Sequence, residues 1–264
     1  ANSFEGFADL FGRVLSRMSF ACMSLKASKC LLLHQKLEVL GYFITPDGIM
    51  MQPAKLDYKA APSSPAEIRT FLGAVQFYRR FIPRLSLLAA PMNALLKKPT
   101  PGDPKHRKGT AEHAAAYAAV DESFKAVCAY LKSDAVVSAP DLSDPRAEYV
   151  ICTDACDVAA GGVLLQWQHP SGRGPGPPDG VPLRGDKGSD PLTQSWRLAC
   201  GWTLRTVAFY SRTFDVAQRN YATFDKESAA ILFCCRKWAK LITCHPTTVY
   251  TDSVVAASML TKHM

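Results

Sequence analysis

No stretch of this 264-residue chain approaches the roughly 20 consecutive apolar residues that a membrane-spanning helix requires, so membrane insertion is not expected. The opening residues, Ala1-Asn2-Ser3-Phe4-Glu5, lack the basic and then apolar layout of a secretion signal, and the missing initiator Met points to a piece of a longer protein. Cysteine is present, but without pattern. Nine cysteines, an odd number with no Cys-x-x-Cys and no nearby paired His motif, argue against a disulfide framework or a structural zinc. They argue for a reducing intracellular compartment, whether cytoplasm, nucleus or organelle. Cys152 and Cys156, which flank Asp154, and the pair Cys234-Cys235 read as free thiols behaving as small apolar residues.

An acidic excess is also lacking. The formal net charge is +8, and it is divided unevenly: residues 1–110 hold sixteen Lys and Arg against seven Asp and Glu, whereas residues 111–264 hold fifteen against sixteen. The basic half is expected to grip polyanions, since each Lys or Arg that neutralises a phosphate releases condensed counterions in binding that ignores sequence. Arg79, Arg80, Arg84, Lys97 and Lys98 are the candidates, with Phe77 and Tyr78 interleaved. The same charges would also suit a solvated helix face. With 48% hydrophobic residues the chain can bury one or two cores, because domains run roughly 100–200 residues.

Local signals give the organisation. Residues 4–22 read as an amphipathic helix, and residues 37–49 as a hairpin about Thr45-Pro46-Asp47-Gly48, whose Asp-Gly is a strong turn signal. A helix over 64–81 opens with Ser64-Pro65-Ala66-Glu67, in which Ser64 can cap, Pro65 takes the first helical position and Glu67 the third. The breaker-rich basic run at 99–109 is the expected seam between two units, and Ala111 to Lys132 follows it as an Ala-rich helix. Strands are expected at 149–154, 162–168 and 207–211. Between the last two, from Pro170 to Pro191, twelve of twenty-two residues are Gly or Pro, which suits a surface loop. Hairpin-joined strands followed by a helix and a further strand fit an α/β (α+β) arrangement, a mixed sheet with helices packed on it.

Two of the strand-like runs end alike. Glu148 to Asp154 and Thr247 to Asp252 are β-like runs that each close on Thr-Asp, and between them lies a helix-like segment, Asn220 to Ile242. On that segment Glu227 shares a face with Ile231, Cys234, Trp238 and Leu241 at helical spacing. Carboxylates crowded together cannot all stay ionised without a positive charge, and Mg²⁺, which takes oxygen ligands and phosphate oxygens, is the usual solution. Singly, each acid has a plainer reading: Asp154 and Asp252 as turn residues, Glu227 as an acid favoured early in a helix. Acids scattered in the fold, or one of the three locked away by an arginine, would overturn the cation site.

Further motifs stand in order along the chain. They run Lys29-Cys30, Leu40-Gly41-Tyr42, Gly48-Ile49, Pro53, Lys55, Phe71-Leu72-Gly73, Phe77-Tyr78-Arg79-Arg80-Phe81-Ile82 and Ala90-Pro91-Met92. The second half continues with Ala139-Pro140-Asp141, Thr153-Asp154-Ala155, Gly162-Val163-Leu164 with Gln166, Val207 to Arg212, Asn220-Tyr221, Lys226-Glu227, Trp238 and Thr251-Asp252. Over nearly the whole chain this order resembles the pol polyprotein of gypsy-type LTR retrotransposons.

The resemblance implies that residues 1–98 are the edge of a reverse transcriptase palm with its mostly helical thumb/connection and a β-hairpin, and that 99–110 is a linker. Residues 111–264 would then be a ribonuclease H-like domain with an insertion at about 169–203 and a truncated C-terminus. It further implies cleavage of the RNA strand of RNA–DNA hybrids with two Mg²⁺ ions, for which Mn²⁺ can substitute. Asp154 would bridge both ions, and Glu227 and Asp252 would each support one. Gln166, Ser211, Asn220 and Tyr221 would touch the groove, with the rest of the pol polyprotein as a partner; apart from the resemblance, Arg173, Arg184, Lys187 and Arg197 of the insertion would add a nucleic-acid contact, against the plainer reading of a surface loop. Three departures stand out: the polymerase motif Tyr-x-Asp-Asp is absent, the family's fourth acid is not reached by Met264, and Asp225 stands where Glu is usual. The alternative is a non-catalytic scaffold of retroelement origin that binds RNA or protein within a larger ribonucleoprotein or organellar assembly.

Overall fold

The computed structural model describes residues 3–52, 58–97, 104–106, 109–133, 136–142, 144–169, 196–197 and 201–262. They form two compact units, residues 1–37 and 38–264. In the first, helix α1 (Phe4–Phe20) is capped by Ser3, whose hydroxyl accepts from the Gly6 N–H at 3.1 Å, and none of its residues is buried.

The second unit holds two sheets. β1 (Leu37–Val39), β2 (Tyr42–Thr45), β3 (Gly48–Met51) and β4 (Val136–Val137) form one, in that order, and β2 and β3 are the hairpin expected at Asp47-Gly48. Four helices follow the hairpin: α2 (Pro65–Phe77), α3 (Leu85–Leu88), α4 (Ala90–Leu95) and α5 (Ala111–Leu131). Ser64 caps α2 by accepting from the Glu67 N–H at 3.3 Å. The Glu67 carboxylate returns to the Ser63 N–H at 2.7 Å, one residue earlier than a reciprocal capping box would have it.

A seam at 99–110 would put α5 with the second half of the chain, but its side chains pack elsewhere. Val120, Phe124, Val127 and Leu131 of α5 share one core with Ile68, Phe71 and Val75 of α2, Met92 and Leu95 of α4, Met51 of β3 and Val137 of β4. The short helices α2 to α4 cannot bury their apolar stripes alone, and the stripe of α5, at spacings of four and three, completes the layer. Ser123 also donates its hydroxyl to the Leu88 carbonyl. The compact boundary falls instead between residues 37 and 38.

The larger sheet has the order β7-β8-β6-β5-β9 and is built from β5 (Tyr149–Ala155), β6 (Ala159–Gln168), β7 (Trp196–Arg197), β8 (Thr203–Thr213) and β9 (Thr247–Tyr250). β5 pairs antiparallel with β6 and parallel with β9. Of the sequence-expected insertion, Trp196–Arg197 forms the short edge strand β7 and Trp202 is buried in the core, while residues 170–195 lie outside the described residues. After α6 (Val216–Arg219), helix α7 (Thr223–Ile242) packs on one sheet face, burying Cys234 and Trp238 against Tyr149, Ile151, Leu164 and Val207. The other face gathers Val150, Val163, Leu165, Trp167, Trp202 and Leu204. Helix α8 (Val254–Lys262) ends the described chain.

β7 covers only Thr203 and Leu204 of the β8 edge, and farther along β8 the carbonyls of Val207 and Ser211 accept from Arg80 Nη2 at 3.1 Å and Arg79 Nη2 at 3.2 Å. The Ser86 N–H, at the start of α3, donates to Ser211 Oγ at 2.8 Å. On the opposite face Gly162 lets α7 approach, since a Cβ there would meet the Cys152 carbonyl oxygen at 2.7 Å and Cys234 Sγ at 2.8 Å.

Gly162→Ala should therefore destabilise the protein by about 1–3 kcal/mol, the usual cost of overpacking. Gly73, which is helical and would have nothing within 4 Å of an added Cβ, is the control. Gly73→Ala should stabilise by about 0.5–1 kcal/mol. Urea unfolding of the two variants gives both signs, and equal behaviour would refute the close-approach argument.

Candidate functional site

The parallel pairing of β5 with β9 sets Cys152 opposite Tyr250. Asp154 and Asp252 each lie two residues beyond that pair, so both sit at the same end of the sheet, Asp154 still paired with Gly161 inside β5. α7 crosses this end with Glu227 on its buried face. Glu227 is only 6% exposed and accepts from the Ala155 N–H, while its Oε2 atom has no hydrogen-bond partner. Its carboxyl is pushed up to about 7, by burial first and then by the charges of Asp252 and Asp154, against the lowering effect of the Ala155 N–H. The two strand acids are exposed.

Alternation along β5 puts Asp154 and Glu227 on different faces of the sheet. Asp154 belongs to the face of Val150 and Cys152, whereas α7 packs on the face of Tyr149 and Ile151, so Glu227 reaches the strand end from the other side. Among the described residues no group of three or more His, Cys, Asp or Glu side chains is placed to hold a metal ion. The donor chemistry nevertheless fits Mg²⁺: all three are oxygen donors, one buried oxygen is unpartnered, and Mg²⁺ ordinarily uses one or two carboxylates and keeps several waters.

Asp154 has an arginine partner. Arg84 Nη2 lies 3.1 Å from Asp154 Oδ2, with the two side chains 65% and 57% exposed. Water reaches both groups, so the acid is engaged without being sealed off, and exposed pairs of this kind are worth about 0–1 kcal/mol. Beside the pair a cleft of about 220 Å³ opens between Pro83 and Leu87 on one side and Cys152, Val163 and Phe209 on the other.

The remaining sequence candidates divide. Gln166 is fully buried, and its amide accepts from the Asp141 N–H and donates to the Asp141 carbonyl, both at 2.7 Å, so it ties the 139–147 segment to the sheet and cannot touch a groove. Arg79 and Arg80 donate to β8, burial holds the Arg80 guanidinium below the usual arginine pKa, and Ser211 is buried under α3. Those three serve the packing of helices on the sheet. Arg84, Lys97, Asn220 and Tyr221 are exposed, and Lys98 lies outside the described residues, as do Arg173, Arg184 and Lys187. Spacing alone missed the ion pair of buried Lys226 with Asp157, at 2.8 Å, which fastens the turn after β5 to the residue beside Glu227. It equally missed the Arg84 pairing, which joins residues 70 apart.

Comparison with known proteins agrees with this architecture. Residues 190–264, which include Glu227 and Asp252 but not Asp154, match the RNase H-like domain found in reverse transcriptase. The chain is 28% identical over 223 residues to the retrovirus-related Pol polyprotein from transposon 297 of Drosophila melanogaster, covering 83% of this chain and 16% of that protein. It is 28% identical over 246 residues to the transposon Tf2-3 polyprotein of Schizosaccharomyces pombe, covering 90% of this chain and 15% of that one. It thus spans about a sixth of the length of these relatives. Among solved structures, the foamy viral protease-reverse transcriptase in complex with RNA/DNA hybrid superposes with a TM-score of 0.66 at 16% identity, covering 96% of this chain and 29% of that one. A second foamy viral protease-reverse transcriptase structure, in complex with double-stranded DNA, gives 0.68 at 16% identity, with 99% and 38% covered. The ordered sequence match likens the chain to the Pol polyproteins of retrotransposons, and residues 190–264 to the RNase H-like domain found in reverse transcriptase.

Proposed function

We propose that this chain cleaves the RNA strand of RNA–DNA hybrids, with Asp154, Glu227 and Asp252 as the carboxylates that hold divalent cations, two Mg²⁺ ions or Mn²⁺ in their stead. The observation that carries the reading is the buried, unpartnered Oε2 of Glu227, on a carboxyl that two neighbouring acids help to hold near neutrality. When bound, such a cation supplies charge neutralisation at the phosphate and acidifies water. Asp154 and Asp252 would present oxygens from one sheet end, and Glu227 would hold a proton over part of the neutral range when no cation is bound. Selection of the hybrid would rest on groove shape and 2′-hydroxyls, with Arg84, Lys97, Lys98, Asn220 and Tyr221 against the backbone. Residues 1–98, with α5 packed against α2 and α4, are then palm edge and thumb/connection, and the larger sheet with α7 the nuclease part, within a larger pol polyprotein in a reducing compartment.

The test is cleavage of a labelled hybrid in Mg²⁺. Loss of outer-shell support at metal sites costs about 10–100-fold, so Asp154→Asn, Glu227→Gln or Asp252→Asn should each lower cleavage by at least about 100-fold. The scaffold reading, binding of RNA or protein without catalysis, is the alternative that the same experiment decides. Hybrid binding without cleavage across a range of Mg²⁺ and Mn²⁺ would select that reading.

Glu227 also predicts a pH signature of the cation-free protein. A carboxyl raised to about 7 in the folded state contributes stability that is complete below its unfolded value, 4.5, and is lost as pH rises through about 7. In EDTA, the melting temperature of the wild type should therefore fall relative to Glu227→Gln between about pH 5 and about pH 8. Saturating Mg²⁺ should narrow the gap, and parallel melting curves in EDTA would contradict the placement of Glu227.

A further inference from the structure

Arg84 is held in an unfavourable backbone conformation at a charged site. Its φ of 49° and ψ of 30° are left-handed, which costs energy at most residues other than glycine and asparagine and persists where the surroundings impose it. Here they do. Pro83 and Leu85 are buried on either side, the N–H groups of Leu87 and Leu88 donate to the Arg84 carbonyl at 2.9 and 3.1 Å, and Ser86 is fastened to Ser211. The fastened backbone leaves the side chain free to extend to Asp154. Of the three acids, Asp154 alone has an ion-pair partner among the described residues.

We propose that Arg84 is a resident counter-ion of the cation site: its guanidinium neutralises Asp154 when no divalent ion is bound and gives way when one arrives. The inference rests on the reading of Asp154 as a cation ligand and adds that the residues before α3 set the affinity of the site. A guanidinium and a divalent cation compete for the same carboxylate, so the apparent affinity of the cation falls by the factor that the pair is worth. Exposure of both groups keeps that factor small and the exchange open.

Mn²⁺ binding to the whole chain, followed by the spectroscopic signal of the free ion at low salt, reads the competition without any nuclease activity. Arg84→Gln should tighten binding by about two- to five-fold, the worth of an exposed pair. Arg84→Asn, whose side chain tolerates the left-handed backbone, should do the same, and Arg84→Lys, which keeps the charge, should stay near the wild type. The gain should vanish in an Asp154→Asn background and shrink with added salt. Equal affinities for wild type, Arg84→Gln and Arg84→Asn would overturn the proposal while leaving the cation site standing. Mn²⁺ binding that ignores Asp154→Asn would overturn the site and the proposal with it.

Discussion

The site depends on one electrostatic constraint, the burial of the Glu227 carboxylate at a sheet end already occupied by two aspartates. An ionised oxygen without a hydrogen-bond partner is costly in a protein interior. The cost is relieved by a proton, which accounts for a carboxyl near 7, or by a cation. The packing that imposes it is equally specific. Any side chain at position 162 would strike the Cys152 carbonyl and Cys234 Sγ and hold α7 off the sheet. A glycine in β6 and an acid in α7 thus act as one device, the first permitting the approach that makes the second reactive to its neighbours.

Strand direction does the rest. Because β9 runs parallel to β5 in the register Cys152 opposite Tyr250, equivalent positions beyond the pair emerge at the same edge. In an antiparallel pairing the residue after β9 would emerge at the other end, roughly 3.4 Å farther away for each residue of strand. α7, between β8 and β9 in the chain, is part of the connection that this sheet requires, and it also brings the third acid. The fold therefore delivers three carboxylates through two backbone features, parallel pairing and a helix crossing over it.

What was legible in the sequence was local or periodic. The hairpin at Asp47-Gly48, the cap at Ser64, the strand cores and the buried face of α7 through Ile231, Cys234 and Trp238 all follow from spacing. The repeated Thr-Asp ending marked two strand ends that do share an edge. Side-chain alternation was also available, and it would have put Gln166 on the same face as Leu164, where an amide must find internal partners, as it does with Asp141. The allegiance of α5 was not legible, because its apolar stripe suits either neighbouring core until the short helices before it are seen to need one. Nor was the Arg84 pairing, since no local pattern records which carboxylate a guanidinium 70 residues away will meet.

The basic first half shows why a charge count is a weak guide to a binding face. Sixteen Lys and Arg in residues 1–110 suggest a broad positive surface, yet the guanidinium groups of Arg79 and Arg80 end on carbonyls of β8, and Arg80 is partly desolvated there. Those charges close the exposed edge of a strand, a use that needs the five donors of a guanidinium rather than its long-range field. Arg84 differs from both in being exposed and paired with a carboxylate instead of a carbonyl. Three arginines within six residues thus take two roles. Which role each takes depends on whether β8 or the end of β5 lies across from it, a fact of tertiary structure that composition cannot carry.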